Sequence, residues 1–262
     1  MIRFALLGVL LAAPQAAEAR RRAPVNSFSI GLGVFPLQIS GLSDVHLSDG
    51  DTQTAEGRLN LALGSHNTDG AGLLPALKLG ATFGRGIVLG AFDVYAGAVN
   101  GVTGGAVLVG ADIRVKQRNF TIGVPLRVGV ITGGADLGEA TLLPGATGPV
   151  ILDAERTINE GDPLNASING VMASAGVLGE LWISKKLAIR GEASVQQGQF
   201  SGFSIVAGRD DVDTQDVDER VRIDGDDPAI KKPEMGSLEQ ANMTPEGGTF
   251  GVSGFVGVTL KF

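Results

Sequence analysis

The chain has 262 residues, 40 of them Gly, with 44% hydrophobic residues, no Cys and a formal net charge of −7. That much glycine disfavours a helical protein, since each interior Gly costs a helix about 1 kcal/mol relative to Ala, and that much apolar content excludes a disordered one. Without Cys there is no disulfide framework, Cys-ligated zinc or lipid-modified cysteine, while the acidic balance and the lack of an evident basic face argue against a nucleic-acid partner.

The chain opens with Arg3, the apolar run FALLGVLLAA (4 to 13), Pro14 and a small-residue stretch ending Ala17, Glu18, Ala19. A positive start, a short apolar core and an A-x-A site are the three parts of a secretory signal peptide, which predicts export and removal of residues 1–19. Arg20, Arg21 and Arg22 follow at once, so the cut could fall as late as residue 23, and residues 20–27 form a short N-terminal segment. The apolar run is too short to span a bilayer, and after Ala13 none approaches the length a transmembrane helix needs.

From Phe28 onward apolar residues recur at every second position, the period of a strand with two unlike faces. Phe120, Ile122, Val124, Leu126, Val128 and Val130 alternate with Thr121, Gly123, Pro125, Arg127 and Gly129. The same pattern predicts strands over 28–40, 73–83, 87–98, 105–116, 120–131, 170–183, 187–200 and 249–262. Matching faces across tight turns gives three hairpins. With Arg85-Gly86 as a turn, Phe83 faces Val88 and Lys78 faces Asp93; with Gln117-Arg118, Val115 faces Phe120 and Arg114 faces Thr121; with Ser184 to Lys186, Leu181 faces Ile189 and Glu180 faces Arg190. These short turns alternate with longer connections at 41–72, 99–104, 132–169 and 201–248. The expectation is an all-β, antiparallel up-and-down transmembrane β-barrel of eight strands, residues 28–262, with ten strands as the alternative because Leu59, Leu61 and Leu63 in segment 57–64 also alternate.

Charges mid-strand decide which face is inside. Lys78, Asp93, Asp112, Arg114, Arg127, Glu180, Arg190 and Glu192 lie on the face of Gly, Ser and Thr, four acids against four bases. In a barrel whose hydrocarbon face meets lipid they become the lumen, as a structural ion-pair network that plugs it; the competing reading is a narrow path for small solutes. An exported soluble β-barrel binding protein is the third reading. Phe28, Phe83, Phe120, Trp182 and Phe262 gather at the short-turn ends, where an interfacial girdle belongs.

The final strand carries Phe250, Val252, Val256, Val258, Leu260 and terminal Phe262 on one face, with Phe255 the exception. In this ending, together with the leader and the alternation, the chain resembles small bacterial outer-membrane β-barrel proteins, of the architecture of the OmpA transmembrane domain and OmpX. The resemblance implies outer-membrane localisation in a Gram-negative cell, lipid and lipopolysaccharide as surroundings, a monomer, and those six residues as the signal read by the barrel assembly machinery. The chain departs from the better-known members in having one Trp and one Tyr, and it shows no domain beyond the barrel that would anchor peptidoglycan.

Catalytic chemistry is not expected, nor any cofactor. The two histidines, His46 and His66, stand in the first loop with no Ser and Asp at a workable spacing, and Asp210-Asp211 lacks a His-Asp partner pair. The glycines of GVTGG (101 to 105) mark a turn, since no helix or Lys follows to make a phosphate loop. Loop 201–248 holds 12 of the 28 acids, densest in GRDDVDTQDVDERVRIDGDD (208 to 227). Its carboxylates could take divalent cations that bridge lipid phosphates, but the spacing fits no EF-hand, and a solvated acidic loop with no metal is the expectation.

Overall fold

Eight long strands, each hydrogen-bonded to the next and the last to the first, close into an antiparallel barrel in the computed structural model of this chain. The structure describes residues 25–40, 46–48, 59–62, 73–141, 150–151, 157–207, 221–224, 230–234, 237–240 and 246–262. The wall strands are β1 (Val25–Pro36), β2 (Leu73–Gly84), β3 (Val88–Val99), β4 (Val102–Gln117), β5 (Phe120–Glu139), β6 (Pro163–Trp182), β7 (Leu187–Ala207) and β8 (Glu246–Lys261). Every sequence neighbour pairs, and β8 meets β1 from Lys261 opposite Ser27 to Gly254 opposite Val34. Closure removes the free edges that an open sheet would present. The fold is thus the expected all-β, up-and-down, eight-stranded barrel. Segment 57–64 adds no wall strand: Leu59–Ala62 pairs with His46–Ser48 in a small separate sheet that also contains Ile230–Glu234 and Ser237–Gln240.

The alternation assigns the faces correctly, but two hairpin registers differ from expectation by two residues. Phe83 lies opposite Gly90, not Val88, and Val115 lies opposite Ile122, not Phe120. A slip of two leaves every side chain on its own face, so apolar matching cannot detect it. The second turn is Arg118-Asn119, with Arg118 at φ 46°, rather than Gln117-Arg118. The third hairpin has the expected register, Leu181 opposite Ile189 and Glu180 opposite Arg190. There Ser184 Oγ accepts the backbone N–H groups of Lys186 and Leu187 at 3.2 and 3.1 Å. The connection expected over 99–104 shrinks to a two-residue turn, with Val99 opposite Val102. Asn100 and Gly101 take φ values of 47° and 77°, the positive pair that an Asn-Gly hairpin turn favours because glycine has no Cβ to clash.

Hydrocarbon lies outside over most of the wall. Leu32, Val128, Val130, Val177 and Val256 are all more than half exposed, while Ser27, Arg127, Ser174, Glu180 and Thr259 point inward and are buried. On β5 the apolar outward run extends from Phe120 to Val130, a band about 25 Å tall for a strand tilted by about 40°. Above that band the sense reverses without any change of face. On β5 the outward residues become Thr132, Gly134 and Asp136, while Ile131, Ala135 and Leu137 fill the interior. On β6, Asn165, Ser167 and Asn169 face out and Leu164, Ala166 and Ile168 face in. Strands β5 and β6 therefore run on beyond the apolar band with a polar exterior and an apolar core, and the expected loop 132–169 narrows by seven or eight residues on each side. Strand β7 likewise reaches Ala207, and β8 begins at Glu246.

Candidate functional site

Inward positions on β2 to β7 converge at one level of the lumen. Each of the eight charges singled out in the sequence occupies such a position, and each is at least nine-tenths buried. They join in a closed circuit of alternating sign. Lys78 reaches Asp93 at 3.4 Å, Asp93 meets Arg127 at 2.6 Å, Arg127 meets Asp112 at 2.6 Å, and Asp112 meets Arg114 at 2.5 Å. Arg114 then meets Glu180 at 3.0 Å, Glu180 meets Arg190 at 3.6 Å, Arg190 meets Glu192 at 2.7 Å, and Glu192 returns to Lys78 at 2.6 Å. A longer contact, 3.9 Å from Arg190 to Asp112, crosses the ring.

The ring explains how charges survive burial. Each ion out of water would be prohibitively costly alone, and here each has partners of opposite sign on both sides. Arg127 also donates to the carbonyl oxygens of Ala111 and Leu126, at 2.9 and 3.1 Å, which fixes the plane of its guanidinium. Thr259 on β8 donates to Glu180 at 3.4 Å. Room for Asp93 comes from Gly80, whose missing Cβ would stand 2.5 Å from Asp93 Oδ1 and 2.6 Å from Ser29 Oγ. Beside Lys78, Arg190 and Glu192 the remaining cavity is about 10 Å³, enough for a single water.

Several lumenal residues were not singled out by sequence reading. Tyr95 and Phe255 stack edge to face at 5.1 Å, and the Lys78 ammonium stands 5.1 and 5.6 Å from their ring centres. This pair roofs the ionic ring and joins it to the apolar core above, through Phe35 against Tyr95. Phe255, the exception to the outward stripe of β8, is thereby an interior residue. Gln196 is fully buried, with Nε2 donating to Ser253 Oγ at 2.8 Å and Oε1 without a partner. An aromatic breaking the period at 255 was the signal in the sequence; Gln196 gave none.

The other singled-out residues are placed less uniformly. Val252, Val256, Val258, Leu260 and Phe262 form an exposed outward stripe on β8, and the backbone of Phe250 continues it opposite Gln197. Phe28, Phe83, Phe120 and Phe262 face out at the short-turn end, as a girdle requires, but Trp182 does not. Trp182 is half-buried, donates its indole N–H to Thr121 Oγ1 at 2.9 Å, and carries Lys116 over its ring. His66, Asp210, Asp211 and the leader lie outside the described residues, as does the acidic run apart from Val221–Asp224, whose backbone extends the sheet beside β7. No protein-family model and no curated protein matches this chain.

Proposed function

We propose that this protein is an integral outer-membrane β-barrel with an envelope or surface role and a lumen closed by its ion-pair ring. The observation that carries the reading is the inside-out band: the eight strands turn aliphatic and aromatic side chains outward, over about 25 Å on β5, and enclose charges. In water such a surface would associate at once. In a bilayer it meets hydrocarbon, and the closed ladder leaves no unpaired wall strand there. Strands β5 and β6 return to a polar exterior above the band, as segments emerging from a membrane must. The ring supports a structural role over a solute path, since its charges neutralise one another and leave about one water's space beside Lys78. Lipopolysaccharide contact, assembly through the β8 stripe and a monomeric state belong to this reading. So does the absence of catalysis.

Cell fractionation tests it. The protein should stay with envelopes after carbonate or high-salt extraction, dissolve only in detergent, and migrate differently on gels with and without heating. Release by carbonate as a soluble species would overturn the membrane reading. The closed lumen has its own test in planar bilayers, where the refolded protein should give no discrete conductance. Steps that vanish on Arg127→Ala would assign a solute path instead.

A further inference from the structure

The short-turn rim collects a basic face that the linear sequence conceals. The turns joining β2 to β3, β4 to β5 and β6 to β7, with the end of β4, bring Arg85, Lys116, Arg118, Lys185 and Lys186 to one end of the barrel, and β8 adds Lys261. The first five are exposed and Lys261 is half-buried. No Asp or Glu occurs in 84–87, 116–119, 182–187 or 260–262, although acids outnumber bases by seven over the whole chain. Among the described residues no carboxylate pairs with any of the six, in contrast to the lumen, where every cation is paired. Three separate turns of one sign, against the sign of the molecule, make a surface that selects anions.

Depth identifies the anion. The cations stand within a few residues of the outward-facing Phe28, Phe83 and Phe120, which mark the edge of the apolar band. One of them, Lys116, is stacked 5.1 Å over the Trp182 ring. At that depth the groups surrounding a membrane barrel are lipid headgroups, whose phosphates are within reach of Lys and Arg side chains. Building on the membrane reading above, we infer that this rim gathers anionic phospholipid headgroups in the leaflet at the short-turn end.

Trp182, the single tryptophan, turns inward with its indole N–H on Thr121, so the reporter is a tryptophan placed at the outward-facing Phe120 (F120W) in a W182F background. The full chain is folded into phosphatidylcholine vesicles containing a minor fraction of phosphatidylglycerol, with bromine on one lipid or the other. At equal mole fraction, brominated phosphatidylglycerol should quench as though enriched about fivefold around this reporter. The enrichment should fall towards parity in 1 M salt, where the Debye length is about 3 Å. It should also fall when R85Q, R118Q, K185Q, K186Q and K261Q are added together, which leaves the reporter in place. Equal quenching by the two lipids in the reporter protein with its rim cations intact, or an enrichment unchanged once they are removed, would overturn the inference. So would absence of enrichment together with retention of the reconstituted protein on a soluble polyanionic glycan, which would assign the rim to that partner. The heat-dependent gel shift of the same samples separates this outcome from failure of the membrane reading, because a protein that never inserts shows no shifted band in either lipid.

Discussion

Replacing Asp112 by Leu should lower the stability of the folded barrel by about 3–5 kcal/mol, measured by urea unfolding in zwitterionic vesicles. Asp112 is fully buried and is the one acid of the ring that meets three cations, Arg114 and Arg127 at 2.5 and 2.6 Å and Arg190 at 3.9 Å. Its removal leaves three guanidinium groups facing one another with one carboxylate too few, beside a cavity with room for about one water. The cost is therefore the penalty for unpaired buried charge, larger than the net worth of any one contact. The double variant Asp112→Leu with Arg127→Leu should lose less than the two single changes added together, because one of the stranded cations goes with its partner. Strict additivity, or a single-variant loss below about 1 kcal/mol, would mean that the ring is solvated and the lumen wet.

The members of that ring were legible in the sequence because a strand repeats every two residues. A charge among Gly, Ser and Thr on the polar face of an outward-apolar strand has nowhere to go but the lumen. Which charge meets which was legible only in part. Glu180 opposite Arg190 follows from the third turn, whereas Lys78 sits opposite Tyr95 and reaches Asp93 diagonally, two residues from the expected register. Lys78 with Glu192 joins β2 to β7, and Arg114 with Glu180 joins β4 to β6, strands that do not pair with each other, and no local pattern encodes these contacts. The extension of β5 through Glu139 and of β6 from Pro163 was hidden for a different reason. Ile131 and Leu137 fall on the face that held Arg127, so the amphipathic sense inverts and the outward-apolar pattern simply ends. The alternation marks where the outer surface changes from apolar to polar, and the end of the strand is elsewhere. The basic rim was invisible to a count of net charge because its members come from three turns and the last strand.

That inversion supplies a second large effect and a discriminating one. Val124 and Thr132 both point outward from β5 and both are exposed, eight residues apart, Val124 near the middle of the apolar band and Thr132 just above it. On the surface of a water-soluble barrel, Arg at either position would change stability by no more than about 0.5 kcal/mol. In a bilayer the two part company. Val124→Arg should cost about 2–4 kcal/mol, because the guanidinium must be dragged towards the midplane or thin the membrane to reach water, while Thr132→Arg should cost about 0–1 kcal/mol at the interface. Unfolding midpoints of the two variants, measured in the same vesicles, give the difference directly. Arg at intermediate outward positions, Leu126 and then Val130, should trace the decline between them. A flat profile along this face would place β5 in water along its whole length and remove the membrane reading, whereas a peak near Val124 ties the aliphatic exterior to a hydrocarbon layer of matching thickness. The same profile locates the depth of the short-turn rim, since Phe120 lies at the opposite end of the band from Val130 and Arg118 two residues beyond it.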